Sequence, residues 1–560
     1  MHHMNGAELT IALLERQGIT TISGIPGGTN LPLYTALSHS QHIRHVLARH
    51  EQGAGFIAQG MARSTGQAAV CFATSGPGAT NLLTAIADAK LDSTPIVCIT
   101  GQVHSDMIGT DAFQEVDIYG MSIPITKHNF QVRSAAELLE VIPQAFELAL
   151  SGRPGPVLVD IPKDIQTEIL EFADWPVPGQ AAAIAPCNAR ALENAARMIA
   201  AAQRPILYLG GGVVSADAGA TACTLAENND IPMVTTMMAL GAIRCDHPLN
   251  LGMFGMHGSK KTNLLMQEAD LLIVAGARFD DRATGKIGEF CPQANVIHID
   301  IDASELHKLR SAHIGVHGDV GEALTRLNEQ LPQHSRPEWI DQAKQARCDT
   351  STVVALTGKD QIRPFELIRD IAEHVGEQAF IATDVGQHQM WTAQHYPFCR
   401  SRHWLTSGGL GTMGFGLPTA IGAALANPEH PVVCFSGDGS FLMNIQELAT
   451  LAQEQLNVKI ILLDNQALGL VRQQQSLFYD NRLFASEFAQ AIDFVAIAQG
   501  FGIKAMSLTT TNADTLADTL QQPGPCLIHV PIDRREMVFP MVPPGAANTT
   551  MLEGECHACA

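Results

Sequence analysis

The sequence predicts an α/β protein that consists of three parallel-sheet domains, and two observations support this fold class. Short apolar runs alternate with amphipathic helical stretches along almost the whole chain, as strands and crossover helices do in parallel sheets. The length of 560 residues is too great for one hydrophobic core, since a domain holds roughly 100–200 residues. The predicted strands include Ala69–Ala73, Ile96–Thr100, Pro156–Asp160, Pro205–Leu209, Leu271–Ala275, Val296–Ile301, Val432–Ser436 and Lys459–Leu463.

Two stretches interrupt this alternation and divide the chain into thirds. Residues 175–191 are rich in Pro, Gly and Ala, and residues 330–339 are polar and contain two prolines, a composition typical of linkers. We therefore expect an N-terminal domain over 1–172, a central domain over 190–330, a C-terminal domain over 360–545 and a tail over 546–560.

Composition and charge exclude several classes of function. The 35 Lys and Arg residues against 56 Asp and Glu residues give a net charge of −21, which disfavours nucleic acid or an anionic membrane as partner. No apolar run approaches the roughly 18 residues of a membrane span, and the first residues lack the pattern of a secretory signal. The cysteines are dispersed, several of them within apolar strands, as in reduced proteins. We expect a cytoplasmic, globular protein.

The outer thirds carry a similar motif, in which a strand leads into a Ser-Gly-x-Gly turn, a helix and a second strand. The turns are residues 75–78 and 436–439. We interpret the match as a common topology, although two such units can also match by chance. The third position is Pro77 in the first turn and Asp438 in the second, so only the second turn can hold a cation.

Asp438 and Asn465 indicate a cation site that holds a phosphate. Asp438 lies between two glycines at the carboxyl end of a predicted strand, where open α/β sheets bind ligands. Asn465 follows the next strand, 27 residues later. Carboxylate and amide oxygens, completed by phosphate and water, are ligands that Mg²⁺ prefers. An Asp in a turn and an Asn that caps a helix are the alternative, but the spacing favours the magnesium site.

With these residues the chain resembles the large catalytic subunits of bacterial acetolactate synthases, which are thiamine-diphosphate-dependent enzymes. The likeness extends from about Met4 to about Glu555. Its blocks are residues 24–28 (GIPGG), 49–54 (RHEQGA), 109–115 (GTDAFQE), 276–282 (GARFDDR) and 541–546 (MVPPGA). The resemblance implies a pyrimidine-binding, an FAD-binding and a diphosphate-binding domain in that order, with thiamine diphosphate, Mg²⁺ and FAD as cofactors.

The resemblance also implies where thiamine diphosphate and Mg²⁺ bind. The implied ligands of Mg²⁺ are Asp438, Asn465 and the backbone carbonyl of Ala467. The implied thiamine diphosphate contacts are Gly386, Gln387, His388, Gly411, Met413, Gly439, Ser440, Gly469 and Leu470 in the C-terminal third, and Glu51, Pro77 and Asn81 in the N-terminal third of a second subunit. A site shared in this way implies a homodimer or a dimer of dimers.

Glu51 is the implied catalytic group, because a carboxyl group beside the aminopyrimidine favours the imino tautomer that removes the thiazolium proton. Taken without the family, Glu51 would be interpreted as an exposed helical residue. Arg282 is implied to bind the carboxylate of the acceptor substrate, with a flavin-contacting or ion-paired arginine as the alternative. Other implied substrate neighbours are Gly28, Phe113, Gln114 and Lys163.

Gln474 departs from the commonest family pattern, in which a tryptophan packs on the acceptor and favours 2-oxobutanoate over pyruvate. An amide in its place removes apolar contact with one methylene group of the acceptor, which is worth about 1–3 kcal/mol of discrimination. We therefore expect little preference for 2-oxobutanoate.

The middle third contains the elements of a nucleotide site, with three glycines at 210–212 after one strand and Asp300 at the end of another. The resemblance identifies the nucleotide as FAD. The implied contacts are Arg153, Gly211, Gly212, Thr236, Met237, Met238, Gly255, Met256, His257, Gly276, Arg278, Asp300, Ile301, Asp319 and Val320. Residues 409–414 also fit G-x-G-x-x-G, but the preceding segment is too short and polar for the usual first strand.

The resulting expectation is an enzyme that decarboxylates pyruvate and joins the remaining two-carbon unit to a second 2-oxo acid, in branched-chain amino acid synthesis. A small regulatory subunit is an expected partner. The alternatives are a flavin-dependent pyruvate oxidase, a catabolic acetolactate synthase without FAD, and a paralogue that binds cofactors without catalysis. Cys556, His557 and Cys559 form a possible metal motif, which we interpret as a disordered end.

Overall fold

The computed structural model describes residues 1–347, 361–512 and 514–554. It contains three six-stranded sheets whose strands all pair in parallel, and one two-stranded antiparallel sheet. The predicted α/β class is therefore confirmed. The cysteines and histidine of the C-terminal motif lie outside the described residues. In the part of the chain that is described, no helix has the length and apolar character needed to cross a bilayer.

The N-terminal unit contains one six-stranded sheet and the two-stranded sheet. Its strands are β1 (His2–Asn5), β2 (Thr21–Gly24), β3 (Arg44–Leu47), β4 (Ala69–Ala73), β5 (Ile96–Gln102), β6 (His128–Gln131), β7 (Val157–Pro162) and β8 (Ile169–Phe172). Its helices are α1 (Gly6–Arg16), α2 (Leu31–His39), α3 (Glu51–Thr65), α4 (Pro77–Leu91), α5 (Ile118–Ser122), α6 (Leu138–Leu150) and α7 (Lys163–Thr167). Strands β1 and β8 form the antiparallel pair.

The central unit follows the segment that was interpreted as a first linker. Its strands are β9 (Pro205–Leu209), β10 (Met233–Thr235), β11 (Asn250–Met253), β12 (Leu271–Ala275), β13 (Asn295–Asp300) and β14 (Ile314–His317). Its helices are α8 (Ala189–Ala201), α9 (Gly211–Ser215), α10 (Gly219–Asn228), α11 (Lys260–Gln267), α12 (Asp281–Thr284), α13 (Val320–Gln330) and α14 (Pro337–Arg347).

The C-terminal unit contains the third sheet. Its strands are β15 (Phe380–Thr383), β16 (Trp404–Leu405), β17 (Val432–Gly437), β18 (Val458–Asp464), β19 (Lys504–Ser507) and β20 (Cys526–Pro531). Its helices are α15 (Pro364–Val375), α16 (Gln387–His395), α17 (Gly416–Ala426), α18 (Asp438–Phe441), α19 (Glu447–Glu454), α20 (Gly469–Phe478), α21 (Phe494–Gly500) and α22 (Thr515–Gln521).

The outer sheets share one topology, as the repeated turn motif predicts. The strand order is β3-β2-β4-β5-β7-β6 in the N-terminal sheet and β16-β15-β17-β18-β20-β19 in the C-terminal sheet, which is the same order when each is counted from its own first strand. The first Ser-Gly-x-Gly segment follows β4, and the second begins in the last two residues of the equivalent strand, β17. The central sheet differs, with the order β11-β10-β9-β12-β13-β14.

Helix α14 lies partly in the polar segment that was interpreted as a second linker. Its residue Trp339 is buried against the central sheet, and the indole N–H donates to the carbonyl oxygen of Pro205 at 2.8 Å. The preceding Arg336 is also buried and donates to the carbonyl oxygens of Ile199 and Ala202. We propose that the central domain extends through Arg347; the other predicted domain limits remain predictions.

Helices α3 and α17 join the N-terminal and C-terminal units. Glycines let their backbones approach closely, since a Cβ on Gly422 would overlap the carbonyl oxygen of Ile57 and one on Gly60 would overlap that of Thr419. Beside this contact, the rings of Phe56 and Phe415 meet edge to face with centroids 5.2 Å apart. Apolar residues of both units thus form one continuous core.

This close approach predicts that Gly422→Ala destabilises the protein. The added methyl group has no space against the backbone of α3, and overpacking of this kind costs about 1–3 kcal/mol. Gly500→Ala is the matched control, because a Cβ there meets nothing within 4 Å at the exposed end of α21. Urea unfolding should show a lower midpoint for Gly422→Ala alone; equal midpoints for the two variants would contradict the packing described.

Candidate active site and cofactor cavity

The first part of the site lies at the carboxyl edge of the C-terminal sheet. Strands β15, β17 and β18 are neighbours in that sheet, and α16, α18 and α20 begin within a few residues of their ends. The N-termini of these helices therefore open on the same edge. Free N–H groups at the starts of α16 and α20 suit an anion such as a diphosphate.

His388 has a ring nitrogen that could form a hydrogen bond with a ligand. Its ring is buried, and its Nε2 atom has no hydrogen-bond partner among the described residues. A Cβ on Gly437 would come within 2.7 Å of the same ring, so the turn before Asp438 needs glycine there. Burial lowers the pKa of His388 to about 3, so the ring is neutral at physiological pH. An unpartnered nitrogen beside helix N-termini fits a phosphate ligand.

Asp438 and Asn465 meet at this edge, as their spacing predicts. Both are buried, and Asp438 Oδ2 accepts the N–H of Ala467 at 3.2 Å. The amide nitrogen of Asn465 donates to Gln387 at 2.9 Å, which leaves the amide oxygen available. Burial, and then the neighbouring Asp464, raise the pKa of Asp438. A cation would therefore stabilise the charged carboxylate here.

The ligand set fits an Mg²⁺ ion that also binds phosphate better than it fits a metal ion bound entirely by protein side chains. The described residues contain no group of three or more His, Cys, Asp or Glu side chains that could hold a metal ion. Two side-chain oxygens and one backbone carbonyl leave positions that a diphosphate and water would fill, which is how Mg²⁺ is bound with phosphates. Gly439, Ser440, Gly469 and Leu470 lie in the first residues of α18 and α20, beside this position.

The second part of the site lies at the N-terminus of α3, where Glu51 is the first residue. Glu51 is half-buried, and its Oε2 accepts the side-chain N–H of Asn81 at 2.9 Å. A Cβ on Gly78 would lie 3.2 Å from Glu51 Oε1, so the start of α4, with Pro77, approaches this carboxylate closely. Glu51, Pro77 and Asn81 are thus brought together as predicted.

Glu447 fixes the start of α3, and sequence reasoning missed it. Its buried carboxylate accepts the backbone N–H groups of Arg49 at 2.9 Å and His50 at 3.1 Å. Burial raises the pKa of Glu447, while these hydrogen bonds act in the opposite direction. Because Glu447 opens α19 of the C-terminal unit, one unit positions the candidate catalytic residue of the other.

The predicted substrate neighbours in the N-terminal unit lie at the surface of the single chain. Gly28 and Lys163 are exposed, and Phe113 is 88% exposed. Gln114 is half-buried and has φ +61, and its backbone packs against Gly76. Of these four residues, Gln114 is the one that contacts Gly76, in the turn that precedes Pro77.

The third part of the site is a cavity of about 1400 Å³ between the three units. This is larger than the roughly 300–1,000 Å³ of ordinary small-molecule sites and suits a dinucleotide. Of the predicted FAD contacts, Gly255 is not among the lining residues; it lies against the backbone of Arg282. The predicted contacts that do line the cavity are Arg153, Gly211, Gly212, Thr236, Met237, Met238, Met256, His257, Gly276, Arg278, Asp300, Ile301, Asp319 and Val320.

The central sheet places a glycine cradle in this cavity. Strands β9 and β12 are the neighbours between which the strand order reverses, the position at which open sheets bind dinucleotides. Gly212 follows β9 and Gly276 follows β12, and a Cβ on Gly212 would come within 2.6 Å of the Cα of Gly276. The two glycine turns therefore touch each other, and both line the cavity, an arrangement that fits a dinucleotide such as FAD.

Several charged and polar groups surround the same cavity. Arg153 pairs with Asp302 at 3.1 Å and with Glu305 at 2.9 Å. Burial raises the pKa of Asp300 to about 6, and burial lowers the pKa of His257 to about 4. At neutral pH His257 is thus uncharged. The ion pairs of Arg153 are an arrangement that the sequence did not predict.

The cavity also reaches the predicted acceptor position. Its lining includes Gly411, Leu470 and Gln474, all expected near thiamine or substrate, and Arg282. The Arg282 side chain is 62% exposed; its Nε pairs with Asp281 at 3.8 Å, as the alternative interpretation expects, and its Nη1 lies 3.7 Å from the sulfur of Met256. An accessible guanidinium on a shared cavity is suited to hold a substrate carboxylate. Met413, which is half-buried, belongs to the same glycine-rich loop as Gly411.

That loop is held by a buried ionic network, which sequence reasoning also missed. Asp88 and Asp92 of the N-terminal unit both bind Arg63, at 3.0 and 2.9 Å. Asp88 accepts hydrogen bonds from the hydroxyls of Ser407 and Thr412, and Asp92 accepts two backbone N–H groups between them. Asp88 near the end of α4 and Asp92 directly after that helix were the available signal. Residues 407–412 thus form a tied loop, and not a dinucleotide fingerprint.

Comparison with known proteins assigns the class. Three family models match the chain: the N-terminal TPP binding domain of thiamine pyrophosphate enzymes over residues 4–121, their central domain over 192–327, and their C-terminal TPP binding domain over 384–530. Together they cover most of the chain. The chain therefore belongs to the thiamine pyrophosphate enzyme family, which confirms thiamine diphosphate as its predicted cofactor.

Full-length relatives identify the branch of the family. The chain is 56% identical to the acetolactate synthase isozyme 1 large subunit of Escherichia coli (strain K12), over 98% of this chain and 97% of the relative. It is 48% identical to the isozyme 2 large subunit, over 98% and 100% of the two chains. It is 43% identical to the acetolactate synthase large subunit of Corynebacterium glutamicum, over 98% and 90%. The resemblance inferred from the sequence blocks is confirmed.

Proposed function

We propose that this chain is a catalytic subunit that makes 2-acetolactate from two molecules of pyruvate, with 2-oxobutanoate as another acceptor. The observation that carries the proposal is one continuous cavity that joins a dinucleotide cradle to Arg282, Gln474 and Leu470. A cavity of this kind serves a thiamine enzyme that must hold a second substrate. The identity of 56% to an acetolactate synthase large subunit supports the same reaction.

The protein groups divide the work of the reaction. When bound, thiamine diphosphate supplies a nucleophilic carbon and an electron sink for decarboxylation. Asp438, Asn465 and the carbonyl of Ala467 would hold Mg²⁺ against its diphosphate. Glu51 would hold a proton beside the aminopyrimidine, and the hydrogen bond from Asn81 orients the Glu51 carboxylate. Arg282 would pair with the carboxylate of the acceptor 2-oxo acid and so favour ligation over release of the two-carbon unit.

FAD would occupy the cavity without taking part in electron transfer. Joining two 2-oxo acids with loss of CO₂ involves no net oxidation, so the flavin has a structural role in this proposal. The glycine cradle and the lining residues support FAD over a catabolic, flavin-free enzyme. A pyruvate oxidase, the other flavin-containing alternative, would not need Arg282 as an acceptor clamp.

The active site is proposed to form between two copies of the chain. In one chain, Glu51 contacts Asn81 of its own unit, whereas Asp438 contacts Ala467 of the C-terminal unit. Large apolar side chains near both half-sites are exposed, a property typical of interaction surfaces. They are Met107, Phe113, Met121, Ile123, Leu410, Met443 and Val471. A homodimer, or a dimer of dimers, would cover them.

Two further proposals concern the setting of the enzyme. Relatives named large subunits support a smaller regulatory partner for this chain as well. We also propose that the protein lies in the cytoplasm, where acetolactate would be used for branched-chain amino acid synthesis. Cell fractionation tests this: the protein should separate from a periplasmic marker protein.

Product analysis with a Glu51→Gln variant tests the proposed reaction. Purified protein with pyruvate, Mg²⁺, thiamine diphosphate and FAD should form acetolactate equally with and without oxygen. Glu51→Gln should lower kcat by about 10²–10⁴-fold, since it removes the proton-holding group. Its FAD content should stay unchanged, because Glu51 does not line the cavity.

Acetate and peroxide formed only in air would contradict the proposal in favour of an oxidase. If the wild-type chain gives no product, the assay is repeated with a candidate small subunit, and continued inactivity favours the non-catalytic paralogue.

Substitution of Gln474 tests the proposed choice of acceptor. Gln474→Trp should raise the preference for 2-oxobutanoate over pyruvate by about tenfold, because the indole adds apolar contact to one methylene group. Gln345→Trp, at an exposed position of α14, is the control and should leave the ratio unchanged. The ratio is measured with both acceptors in competition. A strong preference for 2-oxobutanoate in the wild type would refute the role assigned to Gln474.

A further inference from the structure

Two cysteines from different units face each other at the protein surface. Cys245 follows β10 in the central unit, and Cys399 lies between α16 and β16 in the C-terminal unit. Their Sγ atoms are 2.9 Å apart, although the residues are separated by 154 positions in the sequence. A disulfide bond of about 2.05 Å would need only a small further approach.

The close approach of the two segments is set by the main chain and by an ion pair. The backbone N–H of Cys245 donates to the carbonyl oxygen of Phe398 at 3.2 Å. The neighbouring Arg244 binds Glu377, which belongs to the C-terminal unit, through two hydrogen bonds of 3.1 Å. The main-chain hydrogen bond and the ion pair therefore hold the two segments, and with them the two thiols, close to each other.

Accessibility distinguishes this pair from another pair of cysteines in the same chain. Cys245 is exposed and Cys399 is half-buried, so a small reagent can reach them. Cys71 and Cys98, on neighbouring strands, lie 3.4 Å apart but are completely buried. The buried pair is therefore a control within the same chain, because its sulfur atoms are also close together but a reagent in solution cannot reach them.

We propose that Cys245 and Cys399 form a reversible disulfide by exchange with a low-molecular-weight disulfide of the glutathione type. The Cys245 thiol loses its proton and attacks the small disulfide, which forms a mixed disulfide and releases one small thiol. Cys399 then loses its proton and attacks the sulfur of Cys245, which releases the second small thiol. Two protein thiols are oxidised, and one small disulfide is reduced to two thiols.

The link would tie two walls of the cofactor cavity to each other. Met237 and Met238, which precede Cys245, line the cavity on the central side. Arg402 and Trp404, which follow Cys399, line it on the C-terminal side. Cross-linking these segments should restrict their separation and slow the release of a ligand from the cavity. This consequence rests on the proposed FAD site, whereas the disulfide itself does not.

The surroundings of the Cys245 thiol determine the expected rate of the exchange. The residue as a whole is exposed, but its thiol is partly desolvated against Cys399; this desolvation, and then the Cys399 thiol, raise the pKa of Cys245, with Asp246 acting in the same direction and Arg244 in the opposite one. Thiolate is the reactive form, so exchange should be slow at neutral pH and faster in mildly alkaline buffer. Glu377 faces the pair from the C-terminal unit through its bond to Arg244.

Peptide mapping under non-reducing conditions tests the proposal. The full-length chain, with its cofactors, is incubated with oxidised glutathione at mildly alkaline pH and digested after the free thiols are blocked. We expect a cross-linked peptide pair that contains Cys245 and Cys399, restored to thiols by a reductant. Cys245→Ser and Cys399→Ser should each abolish it, and Cys223→Ser, at a half-buried cysteine of α10, should not. FAD should leave the cross-linked protein several-fold more slowly than the reduced protein.

Three outcomes would overturn the proposal. The first is a stable mixed disulfide at Cys245 that Cys399 does not resolve, or no modification. The second is equal cross-linking of Cys71 and Cys98, because that pair reacts only if the chain opens. The third is an unchanged rate of FAD release from cross-linked protein, which overturns the link to the cavity. The mapping itself requires no FAD, so a failure of the proposed flavin site would be recognised separately.

Discussion

The contact between helices α3 and α17 is the constraint on which the rest of the arrangement depends. Because Gly60 and Gly422 lack side chains, the two backbones touch and the outer units share one core. Glu51 begins α3, so this contact fixes its direction, and the carboxylate of Glu447 holds the residues before it. The proposed catalytic role of Glu51 requires a position fixed to within a fraction of an ångström, which one helix on a flexible linker could not achieve.

The same joining of units explains why the cofactor cavity lies between them. Arg63, Asp88 and Asp92 extend from the N-terminal unit and hold residues 407–412 of the C-terminal unit as one wall of the cavity. The ionic network is buried, so loss of one member would leave an uncompensated charge. The central sheet supplies the opposite wall with its glycine cradle at the point where the strand order reverses. Each unit is thus incomplete as a binding site without the others.

The sequence predicted the parts of this structure that depend on local patterns. The apolar runs marked the buried strands to within two residues, and the repeated turn correctly indicated equal topology in the outer sheets. It did not reveal that the side chain of Asn444, between α18 and α19, donates to the carbonyl oxygen of Gly414. Nor did it reveal the contacts of Glu447 with Arg49 and His50, or those of Asp88 with Ser407 and Thr412, because these partners lie hundreds of residues apart in the sequence. Arg282 was found through a family block and Gln474 as a departure from the family pattern, and only the fold shows that they line one cavity.

The central claim is that one subunit supplies Glu51 and another supplies Asp438 to the same active site. Co-expression of Glu51→Gln chains with Asp438→Asn chains tests it, since each variant alone should be inactive. In a symmetric dimer, a mixed pair would contain one doubly altered site and one intact site, so random pairing should restore about a quarter of the wild-type activity. Co-expression of two differently tagged copies of the same variant is the control. Activity that remains at the level of the separate variants, with mixed dimers confirmed by the tags, would contradict the shared site.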